Sequence, residues 1–177
     1  HVIEARVRSY ADVLYGLQAL FATQDRVTRA QFHRFVDTLE LKRRYPGFDV
    51  VNFAAYVSFK DKERFEESVR RDSSLDPRGY PRFEIKPPGN RPEYFVMIYV
   101  APMAGFEYAF GLELGANPGI ADPQALAATM RASRDSGELT ASGLPIRVKA
   151  EKEYIGLAMR VPVYRSGAPI GTVEQRR

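Results

Sequence analysis

Few side chains in this sequence could do acid–base or nucleophilic chemistry. The two histidines are His1, at the first position, and His33, which follows Phe32 on an amphipathic segment typical of a helix. Neither belongs to a recognisable Ser-His-Asp arrangement. A histidine next to an aromatic residue on such a segment is usually a packing or surface residue. We therefore interpret His33 as structural.

Glu107 and Glu113 are a candidate pair of catalytic carboxylates. Six residues of extended chain would separate them by about 20 Å. The two carboxylates of a glycosidase lie much closer together, so this pair is not expected to act on one bond. The sequence therefore predicts a protein that is not an enzyme, with a small hydrolase as an alternative.

Metal, phosphate and thiol chemistry are not indicated either. The sequence contains no cysteine, which excludes disulfide bonds, thiolate metal sites and thiol catalysis. It also lacks histidine pairs with zinc-binding spacing and a glycine-rich loop that ends in Lys-Ser or Lys-Thr. We expect no metal and no cofactor.

The composition is that of an ordinary globular chain. The 177 residues are 45% hydrophobic and 27% charged, and the net charge is +4. Basic residues alternate with acidic ones, as in Lys60–Arg64 and Lys149–Glu153, whereas nucleic-acid surfaces gather their basic residues on one face. We therefore expect no nucleic-acid partner. No apolar run of about 18 residues is present, so we expect no membrane span within the sequence. Both ends are interpreted as cuts inside a longer protein, and any membrane contact would come from segments outside this chain.

Two helices are predicted at the start. Apolar residues alternate at spacings of four and three, which predicts a helix about 30 Å or more in length. They are Ile3, Val7, Tyr10, Leu14, Leu17 and Phe21. This stripe has two open interpretations, packing against its own domain or the seam of a dimer. Thr28 and Gln31 form a capping-box pattern that opens a second helix, which we expect to end at Tyr45-Pro46-Gly47.

The remainder predicts a mostly antiparallel sheet with inserted helices, and the fold class is therefore α+β. Helices are expected to begin at Asp61, as an N-cap, and at Asp122-Pro123, with Gly137 ending the latter. The predicted strands are Val51–Val57, Arg82–Lys86, Tyr94–Val100, Phe106–Leu112, Glu138–Thr140, Ile146–Val148 and Tyr154–Val163.

Several sequence stretches occur in an order that is similar to the order of motifs in one known family. They are Tyr45-Pro46-Gly47-Phe48, Glu63-Arg64-Phe65-Glu66, Gly111-Leu112-Glu113-Leu114, Arg134-Asp135-Ser136-Gly137 and Val161-Pro162-Val163-Tyr164-Arg165 followed by Ser166-Gly167. Together they resemble the CHASE domain, the extracytoplasmic sensor of histidine kinases, diguanylate cyclases and plant cytokinin receptors.

The resemblance implies a periplasmic sensing domain of an inner-membrane receptor whose output is a kinase or a cyclase. Residues 1–45 would be stalk helices, and residues 46–177 a PAS-like, membrane-distal lobe that binds a small molecule. The second lobe of the family would be truncated or absent. The resemblance also implies a homodimer through the N-terminal helix. A protein-interaction module is a further alternative.

The resemblance also implies a ligand site. Tyr108 and Leu114 would form its wall, Asp122 a polar contact and Ser142 a small hydroxyl position. The full predicted set is Phe53, Tyr108, Leu114, Asp122, Ser142, Gly156, Ala158 and Arg160.

Arg160 suggests the chemistry of the ligand. The two-residue period of a strand would place Gly156, Ala158 and Arg160 on one face, with space beneath the arginine. Plant relatives have a threonine at this position, whereas a guanidinium fits a carboxylate through two parallel hydrogen bonds. We therefore predict a small acidic ligand. The alternatives are that Arg160 faces solvent or pairs with Glu107 or Glu113.

Overall fold

The computed structural model describes residues 2–120, 122–142, 146–149 and 153–177. Its helices are α1 (Val2–Ala22), α2 (Arg29–Leu39), α3 (Leu41–Arg44), α4 (Lys62–Arg70), α5 (Pro123–Ser136) and α6 (Val173–Arg176). Its strands are β1 (Val51–Ser58), β2 (Glu93–Ala101), β3 (Thr140–Ala141), β4 (Ile146–Lys149), β5 (Glu153–Gly156) and β6 (Met159–Arg160). The predicted α+β class and the long first helix are confirmed.

Local signals set the start of α2, and one residue shortens it. The Thr28 hydroxyl accepts a hydrogen bond from the Gln31 amide, and the Gln31 side chain accepts one from the Thr28 amide, which confirms the capping box. The helix ends at Leu39 because Glu40 adopts a left-handed conformation with φ of 50°. A new turn, α3, then continues to Arg44. The predicted end at Tyr45-Pro46-Gly47 is therefore the end of α3, not of α2.

The central sheet is the antiparallel pair β1–β2, with a register shift between Phe53 and Ala54. Strand β2 is almost completely buried. Helices α1 and α2 cover one side of the pair, where Phe21 stacks on Phe53 with ring centroids 4.6 Å apart and Phe32 lies 5.4 Å from Tyr99. The leading helices and this sheet thus share one hydrophobic core.

The apolar stripe of α1 is divided between two environments. Val13 and Leu17 are buried in the core. Ile3 and Val7 are 78% and 47% exposed. The second half of the helix therefore packs against its own domain, whereas a dimer seam along the first half stays a prediction.

Two predicted strands are wrong. From Arg82 to Lys86 the chain forms no strand but only an isolated parallel bridge, between Lys86 and Leu112. Residues Phe106–Leu112 form a 3-10 turn at Glu107–Ala109 followed by bridges. The reason is a left-handed turn at Gly111, where φ is 89° and a Cβ would lie 2.7 Å from the Glu84 carbonyl oxygen.

Two of the three strands predicted after α5 are shorter than expected, whereas β4 runs one residue further, to Lys149. The chain predicted as one strand from Tyr154 to Val163 is divided into β5 and β6, and Leu157 between them is 74% exposed. Strand β5 pairs with β4, and β6 pairs with β3. Among the described residues the strands thus form three two-stranded antiparallel sheets, not the single continuous sheet that the pattern predicted.

The helix caps were predicted with mixed success. Asp122 caps α5 as expected, because its Oδ1 accepts a hydrogen bond from the Ala125 amide at 2.8 Å. Asp61 does not cap α4; its carboxylate bonds Ser58 and Arg64 instead, since a 3-10 turn precedes the helix. Helix α6 was not predicted, although Thr172 and Gln175 form a second capping box.

Candidate functional site

Arg160 lies where the β3–β6 pair meets α5. In the sheet it is paired with Thr140. Its Nη1 donates a hydrogen bond to the Thr129 hydroxyl on α5, and that hydroxyl in turn donates to the Leu126 carbonyl at 2.8 Å. The guanidinium is half-buried. A neutral hydroxyl therefore fixes its position without balancing its charge.

Burial dominates the electrostatics of this arginine. Desolvation lowers the pKa of the Arg160 guanidinium, and no acidic side chain in the described part of the chain offsets this effect. The predicted alternative of a pair with Glu113 is wrong, because Glu113 Oε2 lies 3.7 Å from Arg91 Nε instead. Glu107 is exposed on the 3-10 turn, and no ion pair joins it to Arg160. Arg160 is thus a partly desolvated cation without an acidic partner among the described residues.

Two other predicted residues lie next to Arg160. The Ser142 amide donates to the Ala158 carbonyl at 2.8 Å, and the Ala158 amide donates to the Ser142 hydroxyl at 3.4 Å. The connection continues the β3–β6 pairing and brings Ser142, Ala158 and Arg160 together. Gly156 belongs to β5 and is paired with Ile146. Because the strand is interrupted at Leu157, the two-residue period does not run from Gly156 to Arg160.

The remaining four predicted residues lie at four other places along the chain. Phe53 is in β1 and stacks on Phe21 of α1. Tyr108 is in the 3-10 turn, with its ring 6.4 Å from that of Phe106. Leu114 follows the bridge residue Glu113, and Asp122 is the exposed N-cap of α5. The role of these four residues in binding stays a prediction.

A cleft of about 480 Å³ lies elsewhere, between α1 and the segment 162–170. None of the eight predicted site residues lines it. The segment includes most of Val161–Arg165 and Ser166-Gly167, the last stretch of the family resemblance. Sequence alone could not show that this stretch packs against α1, because the two are far apart along the chain.

Neither a metal centre nor a membrane-spanning helix occurs within the described residues. No three His, Cys, Asp or Glu side chains there lie together in a way that could hold a metal ion. None of the described helices is long and apolar enough to cross a membrane.

Comparison with protein families decides the family. The model of the CHASE domain matches residues 25–177, which is most of the chain. The chain belongs to the CHASE domain family. CHASE domains are extracellular sensor domains of signalling receptors, and they are sensory rather than catalytic. A search of curated proteins finds no match.

Within this CHASE domain the most deeply buried charged side chains include one that was not predicted from the sequence. Arg29 is 1% exposed. Its guanidinium lies against the rings of Tyr80, Phe110 and Tyr99, with its carbon 4.5, 4.7 and 5.0 Å from their centroids. Its Nε donates to Asp72 Oδ2 at 3.0 Å, and its Nη1 donates to the Ile98 carbonyl.

One feature of the sequence could have predicted that Arg29 is buried. It precedes Phe32 and Val36 by three and seven residues, so it falls on the apolar face of α2. Its contacts join α2 to β2, to Phe110 just after the 3-10 turn and to the chain after α4. Arg29 therefore connects the leading helices of the CHASE domain to its sheet.

Proposed function

We propose that this CHASE domain is the extracytoplasmic sensor of a small organic acid and that Arg160 binds the acid group. The intact receptor is a histidine kinase or a diguanylate cyclase of the inner membrane. The observation that carries the proposal is the state of Arg160, which is half-buried, held by the Thr129 hydroxyl and lacks an acidic partner among the described residues.

A carboxylate is the ligand group that fits this environment best. A partly desolvated charge is costly unless it is paired and hydrogen-bonded. A carboxylate can meet both requirements, because it accepts two parallel hydrogen bonds from a guanidinium. The Ser142 hydroxyl lies near the paired strands and is a polar group for the rest of the acid.

The chain leads directly from Arg160 to the N-terminal helix. Two residues after Arg160, the Pro162 carbonyl accepts a hydrogen bond from Gln18 of α1 at 2.7 Å. The Tyr164 hydroxyl donates a hydrogen bond to the Arg134 carbonyl of α5 at 2.5 Å. A ligand that binds one arrangement of β6 and α5 more tightly than another would shift the population of α1 positions.

The first prediction concerns Arg160 itself. The protein is expected to bind benzoate and not the neutral benzamide, and replacing Arg160 with glutamine is expected to weaken benzoate binding about tenfold or more, since a hydrogen bond to a charged group contributes roughly 1.5–3 kcal/mol. Calorimetric titrations of benzoate and of benzamide into the wild type, and of benzoate into Arg160→Gln, measure these effects. Arg131→Gln, on the exposed side of α5, is the matched control and should leave the affinity unchanged. Unchanged affinity in Arg160→Gln would refute the acid site.

The second prediction concerns transmission through a dimer. We propose that the exposed first half of α1 pairs with the same helix of a second copy through Ile3 and Val7, which continue the stripe that includes Leu17. Aspartate at both positions should abolish self-association, because it places like charges in the seam. Sedimentation equilibrium measures the effect, with Val2→Asp, on a neighbouring face, as the control. A wild-type chain that stays monomeric at the highest attainable concentration would contradict the dimer.

A further inference from the structure

We propose a second ligand site in the cleft between α1 and the segment 162–170, with an organic anion that carries an apolar body as its ligand. The cleft has a volume of about 480 Å³. Small-molecule pockets typically occupy about 300–1,000 Å³. The site is separate from the acid site at Arg160, since Arg160 does not line it.

The charge of the lining indicates an anion. Two arginines, Arg165 and Arg176, line the cleft, and none of the lining residues is acidic. Arg176 is held in place by two backbone carbonyls, because its Nε donates to Asp135 at 2.7 Å and its Nη1 to Ile170 at 2.6 Å. Carbonyl oxygens orient a guanidinium but do not neutralise it.

The next residue, Arg177, differs from Arg176 in having an acidic partner. Arg177 donates to Asp135 Oδ2 at 2.8 Å and forms an ion pair with it. Within the described residues no carboxylate is paired with Arg176. A guanidinium that is fixed in a cleft wall and forms no ion pair with the described carboxylates is suited to a ligand carboxylate or sulfonate.

The rest of the wall indicates an apolar body. Ala19 and Ala22 of α1 line the cleft together with Val163 and Ile170 of the other wall, and Tyr15 adds an exposed aromatic ring. A flat ring system would bury apolar surface between these two walls. A bare inorganic anion would leave that surface in contact with water.

A ligand in this cleft would touch the N-terminal helix and the C-terminal segment together. Hydrogen bonds already join the two, from Gln18 to the Pro162 carbonyl at 2.7 Å and from Ser166 to the Ala22 carbonyl at 3.5 Å. A molecule that contacts both walls would favour the docked arrangement by its differential affinity. The cleft is thus a place where a second compound could modulate the position of α1.

The test uses 2-naphthalenesulfonate as the probe, titrated by calorimetry into the 177-residue chain. We expect saturable binding by the wild type, and binding about tenfold weaker in Arg176→Gln, because a charge-assisted hydrogen bond is lost. Arg177→Gln is the matched control and should change the affinity by less than about twofold, as expected for a surface charge outside the site. Sodium sulfate should not bind detectably.

A second variant keeps the test decisive if Arg176→Gln loosens the C-terminal segment. Ala19→Phe fills the cleft from the α1 side without changing any charge, and it should also weaken the probe. Wild-type affinity in both variants, no binding by the wild type, or sulfate binding as tight as that of the probe would overturn the proposal. If Arg160→Gln abolishes probe binding while Ala19→Phe does not, the probe occupies the acid site, and the second site is refuted while the first is supported.

Discussion

Replacing Arg29 with alanine is expected to lower the free energy of unfolding by about 3–5 kcal/mol, the usual cost of breaking a buried ion pair from one side. The substitution removes the Arg29 hydrogen bonds to Asp72 Oδ2 and to the Ile98 carbonyl, and Asp72 keeps the bond from the Ser74 amide to its Oδ1. It also removes the cation from the faces of Tyr80 and Phe110. Urea unfolding followed by circular dichroism measures the change.

Two variants show which contacts of Arg29 contribute to the free energy of unfolding. Arg34→Ala, on the exposed side of α2, should change the free energy of unfolding by no more than about 0.5 kcal/mol. Arg29→Met restores most of the volume but none of the hydrogen bonds. Its decrease in the free energy of unfolding should therefore be smaller than that of Arg29→Ala but still measurable. A stability of Arg29→Ala equal to that of Arg34→Ala would show that Arg29 does not hold α2 on the sheet.

Replacing Glu113 with alanine is expected to lower the free energy of unfolding by about 2–6 kcal/mol, because one buried and one half-buried donor lose their acceptor at roughly 1–3 kcal/mol each. Glu113 is 1% exposed, and its Oε1 accepts hydrogen bonds from the Phe95 amide at 3.2 Å and the Gly115 amide at 2.8 Å. Its Oε2 lies 3.7 Å from Arg91 Nε. Thermal and urea unfolding both measure the effect.

Glu107 provides the matched control for Glu113. It is exposed on the 3-10 turn, so Glu107→Ala should stay within about 0.5 kcal/mol of the wild type. Glu113→Gln keeps an acceptor for both amides but has no charge. Its decrease in the free energy of unfolding should therefore lie between those of the two alanine variants. If Glu113→Ala is as stable as Glu107→Ala, the buried carboxylate does not support the chain around β2, and its hydrogen bonds to the two amides add nothing to stability.

Much of the helical structure could be predicted because its signals are local. The capping box at Thr28 and Gln31 and the Asp122-Pro123 start of α5 each depend on atoms within one turn of the chain. The order of the motifs along the chain also predicted the family. The missed box at Thr172 and Gln175 has the same pattern as the first, so α6 could have been predicted as well.

The candidate site was predicted less completely. Ser142, Ala158 and Arg160 are brought together by the β3–β6 pairing. Phe53 was placed correctly on β1, yet its contact with Phe21 could not be known from a strand pattern. The alternative of a pair between Arg160 and Glu113 is wrong because Arg91, from the proline-rich loop before β2, lies beside that carboxylate instead.

By itself the sequence determined the main helices, the α+β class and the membership of the CHASE family. These depend on periodicity, capping and motif order, which are properties of neighbouring residues. Only the tertiary structure decided that Phe106–Leu112 turns at Gly111, that Arg29 is buried among three aromatic rings and that Arg160 bonds Thr129. Each of these results from contacts between distant segments, where burial and the pairing of charges outweigh local preference.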